Sequence, residues 1–426
     1  MTKLSVLLVL AIVLVAACSG AGTEAASTAT GQPATTASTR PTTTTGAVTV
    51  TTEAPVRGSG WGRVPHDEAV FGGAEDQEMR SVAAVGPGLV AVGYDTSGGD
   101  QDAAVWTSSD GFAWTRVAHD EAVFGGTGDQ EMESVAAAGS GLVAVGWDGS
   151  GGDQDAAVWT SFDGLTWTRV AHDEAVFGGE DDQLMWAVTA NNLGLVAVGD
   201  DWSGFDRDAA VWTSADGVAW SRVLDEEAVF SGSRWQTMES VAAVDSGLVA
   251  VGDDASGGDQ DAAVWTSPDG LTWSRVPHDE AVFGGANWQT MRSVVATSSG
   301  LVAVGHDNWD AAVWISPDAV TWARVPHDED IFGGDYDQVM RSVVAVGSGL
   351  VAVGFDNSGG DDDAAVWNSP DGVTWIRVPH DEAVLGGTGR QEMRSVVAVG
   401  SGLVAVGYDT SGGDRDAAVW YWTASE

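Results

Sequence analysis

Seven copies of one unit run through this chain, and that repetition constrains the fold more than any other feature. The segment W-x-R-V recurs at Trp61, Trp114, Trp167, Trp220, Trp273, Trp322 and Trp375. The spacing is 53 residues, except for 49 between Trp273 and Trp322. A second tryptophan closes the segment A-A-V-W at Trp106, Trp159, Trp212, Trp265, Trp314, Trp367 and Trp420. Self-similarity at such a period means that each unit is one supersecondary element which buries its apolar faces against its neighbours.

Each unit holds four short apolar runs. In the sixth they are Ser342 to Val346, Leu350 to Gly354, Ala364 to Trp367 and Val373 to Val378. They are rich in β-branched residues and bounded by Gly, Pro, Asp and Ser, so they read as strands, with no room for long helices. The first two are apolar without alternation, which predicts burial of both faces. A β-propeller supplies that environment, because each sheet packs between two others. The expected fold is therefore all-β: a seven-bladed β-propeller of four antiparallel strands per blade, spanning 61–426. The region opens with a fourth strand, Trp61–Val64, and ends with a third, Ala417–Thr423. The N-terminal strand is expected to complete the last blade and remove an exposed edge.

The turn between third and fourth strands carries a family resemblance. Ser267-Pro268-Asp269-Gly270, followed by Leu271-Thr272-Trp273, resembles the Asp-box, or BNR repeat, of sialidase-like propellers. It recurs with Asp110, Asp163, Asp216 and Asp371, while Ala319 replaces the glycine after Asp318. The resemblance implies a structural role, with Asp bonding turn amides and Trp packing between strands. It also implies a sialidase-like glycoside hydrolase as an alternative function. That family uses an arginine triad, a tyrosine–glutamate pair and an acidic residue on a six-bladed ring. Arg292, Arg341 and Arg394 could imitate the triad and Glu133 or Glu239 the acid, yet no residue matches a catalytic motif of the family.

One face of the ring, called the top here, gathers the second-to-third loops and the blade-to-blade loops. The former read D-x-S-G-G-D-x-D, with Asp95, Asp100 and Asp102 in the first copy and Asp356, Asp361 and Asp363 in the sixth. Calcium takes several oxygens at about 2.3–2.6 Å, and glycines let a loop wrap it, so these carboxylates are candidate calcium ligands. The alternative is a set of solvated hairpins whose aspartates bond their own backbone. The blade-to-blade loops read P-H-D-E-A-V-F-G-G, with histidines at His66, His119, His172, His278, His327 and His380. Histidine beside Asp and Glu invites a metal. Capping of a short helical turn by Asp67 accounts for the pattern as well, and six copies on separate blades cannot converge on one ion.

The informative positions are those where the copies differ. Near the start of the innermost strand one position reads Arg80, Glu133, Trp186, Glu239, Arg292, Arg341 and Arg394 around the ring. A second reads Tyr94, Trp147, Asp200, Asp253, His306, Phe355 and Tyr408. A constant framework with a varied top is how a repeat scaffold builds a binding surface. Four arginines on adjacent blades need anionic company. Neighbouring carboxylates could supply it, but the expectation is a basic crescent at the channel mouth, opposite Glu133, Trp186 and Glu239, that binds a small anionic ligand such as an acidic glycan.

The chain ends and the charge bound the setting. Lys3, the apolar run Leu4 to Ala17 and Val15-Ala16-Ala17-Cys18 resemble a lipoprotein signal with its lipobox. That run is too short to span a bilayer, which needs roughly 20 residues. Residues 1–17 are expected to be cleaved, Cys18 lipidated, and 18–60, rich in Ser and Thr, to form a tether. The expected location is the extracellular face of a bacterial membrane. Cys18 is the only cysteine, so no disulfide forms within the chain. A net charge of −44 argues against nucleic acid and against direct contact with anionic membranes. No nucleophile–base pair is evident. These observations favour a monomeric, non-catalytic, lipid-anchored module that binds a glycan or a protein partner.

Overall fold

The computed structural model describes residues 60–424, apart from 87, 140, 205 and 225. The expected signal segment, residues 18–59 of the expected tether with Cys18, and Asp225 lie outside the described residues, whereas Gly60, placed in the tether from the sequence, belongs to the closing strand. Among these residues there are seven four-stranded antiparallel sheets. Blades 1 to 6 span 77–116, 130–169, 183–222, 236–275, 289–324 and 338–377, and blade 7 spans 391–423 with Gly60–Arg63 as its outer strand. The register of that closure runs from Gly60 opposite Thr423 to Arg63 opposite Trp420. The Val64 amide extends it by donating to Val419 O at 2.9 Å.

The strands follow from residue type. Second strands such as Gly88–Asp95 and third strands such as Asp102–Ser108 are buried nearly throughout, as unbroken apolar runs require. The innermost strands differ from expectation: in Gln77–Val85 burial gives way to partial exposure after Met79. The cause is position, since these strands form the wall of the central channel and only one face meets a neighbouring blade. Serine hydroxyls tie the wall together. The Val135 amide donates to Ser81 Oγ at 3.3 Å across two blades, and the bond repeats at other junctions. Ala187 stands at the serine position in blade 3, so the junction with blade 4 has no such hydroxyl.

The repeated residues are framework. Each third-strand tryptophan is buried and donates its indole N–H to the preceding loop, as Trp106 does to Val70 O at 2.7 Å. The arginine of W-x-R-V lies over that indole, Arg116 at 5.6 Å from the Trp106 ring, and pairs with Asp95. In the bottom turns Asp269 Oδ1 accepts from the Leu271 and Thr272 amides at 2.9 and 2.7 Å. Trp273 donates to Gly270 O at 3.0 Å, so these turn residues have the structural role expected of them. Asp67 caps the helical turn Glu68–Phe71 by accepting from the Ala69 amide at 3.1 Å.

Candidate functional site

All seven innermost strands carry a β-bulge at the same place. In blade 1 the register slips between Met79 and Ser81, and Arg80 is the residue left without a cross-strand partner. The slip recurs at Glu133, Trp186, Glu239, Arg292, Arg341 and Arg394. A bulge bends the strand and re-aims one side chain. The opposing residue is always glycine, because a Cβ on Gly93 would collide with the Glu78 carbonyl oxygen. The varied position read from the sequence is thus a ring of seven re-aimed side chains.

The arginines of this ring are not an open crescent. Carboxylates from the residue two positions earlier in the strand intervene. Arg394 Nε donates to Glu78 Oε1 at 2.8 Å and its Nη1 lies 3.0 Å from Glu392 Oε1. Arg341 Nε donates to Glu392 Oε1 at 2.6 Å. Arg80 pairs with Glu131 and lies 3.0 Å from Glu78, while Arg292 pairs with Glu239 of blade 4. Arg415 adds a bond to Glu78 Oε2 at 2.6 Å and one to Tyr94 Oη at 2.7 Å. Of the two arrangements the sequence allowed, neighbouring carboxylates supply the charge. Burial alone would raise the Glu78 carboxyl, but Arg394, Arg80 and Arg415 hold it below its ordinary value.

The ring is electrostatically lopsided. Over blades 2 to 4 carboxyls crowd one another. Burial, with Glu131 beside it, pushes Glu133 up to about 8 despite Arg80. Burial, with Glu239 nearby, pushes Asp253 up to about 7. Burial likewise brings Asp200 up to about 6, against Arg207 and two indole donors. One of those donors is Trp186, at 2.7 Å, so its N–H is engaged within blade 3. Over blades 5 and 6 cations crowd instead. Burial, with Arg394 and Arg292 adding repulsion, brings Arg341 down to about 10 although Glu392 opposes the change. Burial, with Arg292 and Arg341 nearby, takes His306 down to about 3, so its imidazole is neutral.

Besides the glutamine Oε1 atoms that are unfilled in every blade, Gln289 and Gln338 among them, two hydrogen-bonding atoms peculiar to that cationic sector lack a partner. Arg292 Nε and His306 Nδ1 are buried without a partner. An unfilled buried donor or acceptor costs about 1–3 kcal/mol. Above them the shortened unit creates a feature absent from the other blades. Its hairpin turn places Asn308 and Trp309 at φ 49° and 72°. A two-residue hairpin turn of this kind requires positive φ at both positions, and for Trp309 that conformation costs roughly 1–2 kcal/mol. Trp309 stacks flat on His306 at 4.8 Å and meets the edge of Trp288 at 5.9 Å. Both indoles are partly exposed, Trp309 by 37% and Trp288 by 49%. A second, more acidic cleft between blades 3 and 4 is lined by Trp202 and Trp235 with Asp206 and Asp253.

The candidate calcium ligands are engaged separately. Asp95 accepts from Gln77 Nε2 at 2.9 Å and pairs with Arg116, and Asp356 accepts from Gln338 at 3.0 Å and pairs with Arg377. Asp102 and Asp363 face His119 and His380, at 3.8 and 3.9 Å. Asp100 and Asp361 are exposed.

No family model matches the sequence and no curated protein matches it. The chain is similar, at low identity, to several solved structures. The WD40 β-propeller domain of Doa1 is 11% identical, with 84% of this chain and 96% of that one covered and a TM-score of 0.46. A protein of unknown function from Dyadobacter fermentans is 13% identical, with coverages of 86% and 98% and a TM-score of 0.46. A candidate glycoside hydrolase from Bacteroides ovatus is 13% identical over 56% of this chain and 89% of its own, with a TM-score of 0.35. Likeness at this level says nothing of chemistry.

Proposed function

We propose that the protein is a non-catalytic binding module whose ligand is a small acidic sugar or acidic glycan, bound on the top of blades 5 and 6. The observation that carries this reading is the pair of unfilled atoms, Arg292 Nε and His306 Nδ1, beside the partly exposed Trp288–Trp309 pair. An incoming carboxylate accepts from Arg292 and relieves the repulsion that Arg341 feels from its neighbours. A sugar hydroxyl donates to the neutral His306. An indole face takes the apolar side of the pyranose ring. Nothing in this set needs to form or break a covalent bond.

Membership of the Asp-box propellers and anchoring through Cys18 belong to the same proposal, supported by the turn residues and by the lipobox-like segment. Palmitate labelling of the wild type, lost in Cys18→Ala, tests the anchor. The hydrolase alternative draws on Glu133, which burial keeps protonated at neutral pH. Glycosidase carboxyls stand about 5–9 Å apart across a cleft, whereas Glu133 is hydrogen-bonded to Glu131.

Calorimetric titration with hexuronic-acid oligosaccharides and their neutral counterparts tests the binding reading. Binding is expected for the acidic forms, with at least a tenfold loss in Arg341→Ala and in Trp309→Gly. Arg377→Ala, in an outer strand, is expected to leave it unchanged. Equal affinity for acidic and neutral sugars, or none for either, overturns the acidic-glycan reading. Capture of a protein by the same face would reassign the ligand.

A further inference from the structure

Away from the channel a second constellation recurs around the ring. In blade 1 the aspartate that starts the third strand meets the histidine and glutamate of the loop leaving the fourth strand. His119 Nε2 lies 3.2 Å from Glu121 Oε2 and 3.8 Å from Asp102 Oδ2. One donor atom from each of the three lies within 4.8 Å of the others. The same pairings occur in six of the seven blades. In blade 7 they cross the ring closure, since Asp416 comes from the C-terminal strand and His66 from the loop after the N-terminal one. Helix capping does not account for these residues. The cap is Asp120, which accepts from the Ala122 amide at 3.1 Å, and Glu121 and His119 stand apart from it.

Three observations fit a cation. Ligands at about 2.0–2.2 Å around a tetrahedral ion sit roughly 3.3–3.6 Å from one another, and the spacings of 3.2 and 3.8 Å from His119 bracket that range. In blade 1 Asp102 is 7% exposed, yet its Oδ1 has no hydrogen-bond partner, while its Oδ2 faces His119. A buried carboxylate oxygen in that condition is costly unless something fills it. Glycine is required beside the cluster: a Cβ on Gly125 would lie 2.7 Å from Glu121 Oε2 and 2.9 Å from Asp102 Oδ1, intruding on both carboxylates. One imidazole and two carboxylates suit borderline divalent ions, while calcium prefers an all-oxygen set.

We infer that these junctions are six separate sites for a zinc-class divalent transition-metal ion, each held by one imidazole and two carboxylates. Each ion ties the outer loop of a blade to its third strand, and in blade 7 it ties the loop after the closing strand to Asp416. In blade 3 the sequence has Asp225 in place of the histidine, so that blade is not counted among them.

The test is zinc titration of the chelator-treated full chain at neutral pH. A stoichiometry near six is expected, with melting temperature rising as zinc is added by mass action. His119→Ala and Asp102→Asn are each expected to remove one equivalent, and the cap variant Asp120→Ala none. Cobalt(II) in the wild type is expected to give the visible absorbance of a tetrahedral imidazole–carboxylate set, a readout that needs no variant. An unchanged stoichiometry in both ligand variants, no cobalt spectrum, or calcium binding as tightly as zinc overturns the proposal.

Discussion

Glu133→Gln isolates the electrostatics of the rim in one substitution. Burial and Glu131 push the Glu133 carboxyl from its ordinary 4.5 to about 8 in the folded protein. The folded state therefore keeps a proton that the unfolded chain has lost throughout that window. Stability has to fall as pH rises from about 4.5 to about 8 and level off above it, because the unfolded state binds fewer protons there. Each tenfold change in proton affinity is worth about 1.4 kcal/mol, which puts the ceiling at roughly 5 kcal/mol. Glu131 and Arg80 share the charge, and the Glu133 side chain is 11% exposed to water, so about 2 kcal/mol is expected to be realised. Glutamine mimics the protonated form and leaves Arg80 its bonds to Glu131 and Glu78. Scanning calorimetry of both proteins from pH 4.5 to pH 9.5 is the assay. The melting temperatures are expected to coincide at the acid end, and the variant to be higher by about 2–4 °C at the alkaline end. A difference that does not change with pH would refute the account of crowded carboxyls on blades 2 to 4.

Three further outcomes follow from the framework and loops. Deleting residues up to 64 removes the closing strand with buried Val64, and the loss of one apolar side chain and its ladder bonds is worth about 3–5 kcal/mol; an unchanged melting temperature would contradict the closure. Ala319 sits at φ 71° where sibling turns have glycine, such as Gly270 at φ 78°, so Ala319→Gly is expected to stabilise by about 0.5–1 kcal/mol by denaturant unfolding, and destabilisation would show that its methyl group packs too well to lose. Calcium in the acidic loops requires the melting temperature to rise with millimolar calcium and Asp361→Asn to remove one site; a titration without heat or stabilisation leaves Asp356 and Asp363 to their partners Arg377 and His380.

The architecture was legible because the paired tryptophan series fixes both the number of units and the strand at which the repeat is cut. The repeated region begins with a fourth-strand segment at Trp61, and its last unit holds a third strand through Trp420, so the missing strand of blade 7 could be counted. The varied positions could also be found by comparing copies, but not their geometry. That Arg80 sits on a bulge depends on a register slip opposite Gly93, which a run of apolar residues does not announce. Its partners were missed because they lie in a third varied column: Glu78, Glu131, Leu184, Thr237, Thr290, Val339 and Glu392. Reading that column beside the arginines would have shown the charges paired. Trp309 was visible only as part of a shortened loop, since its positive φ comes from turn geometry. The His119 cluster was hidden because Asp102 joins it from a loop that the sequence places with Asp95 and Asp100.

The central claim is that blades 5 and 6 hold the acidic group of a sugar ligand. A crystal structure of the protein with a hexuronic acid, at neutral pH, tests it most directly. The account predicts the carboxylate within hydrogen-bond distance of Arg292 Nε, a hydroxyl on His306 Nδ1, and the pyranose ring against Trp309 or Trp288. A sugar bound elsewhere, with Arg292 Nε and His306 Nδ1 still unfilled, would contradict it.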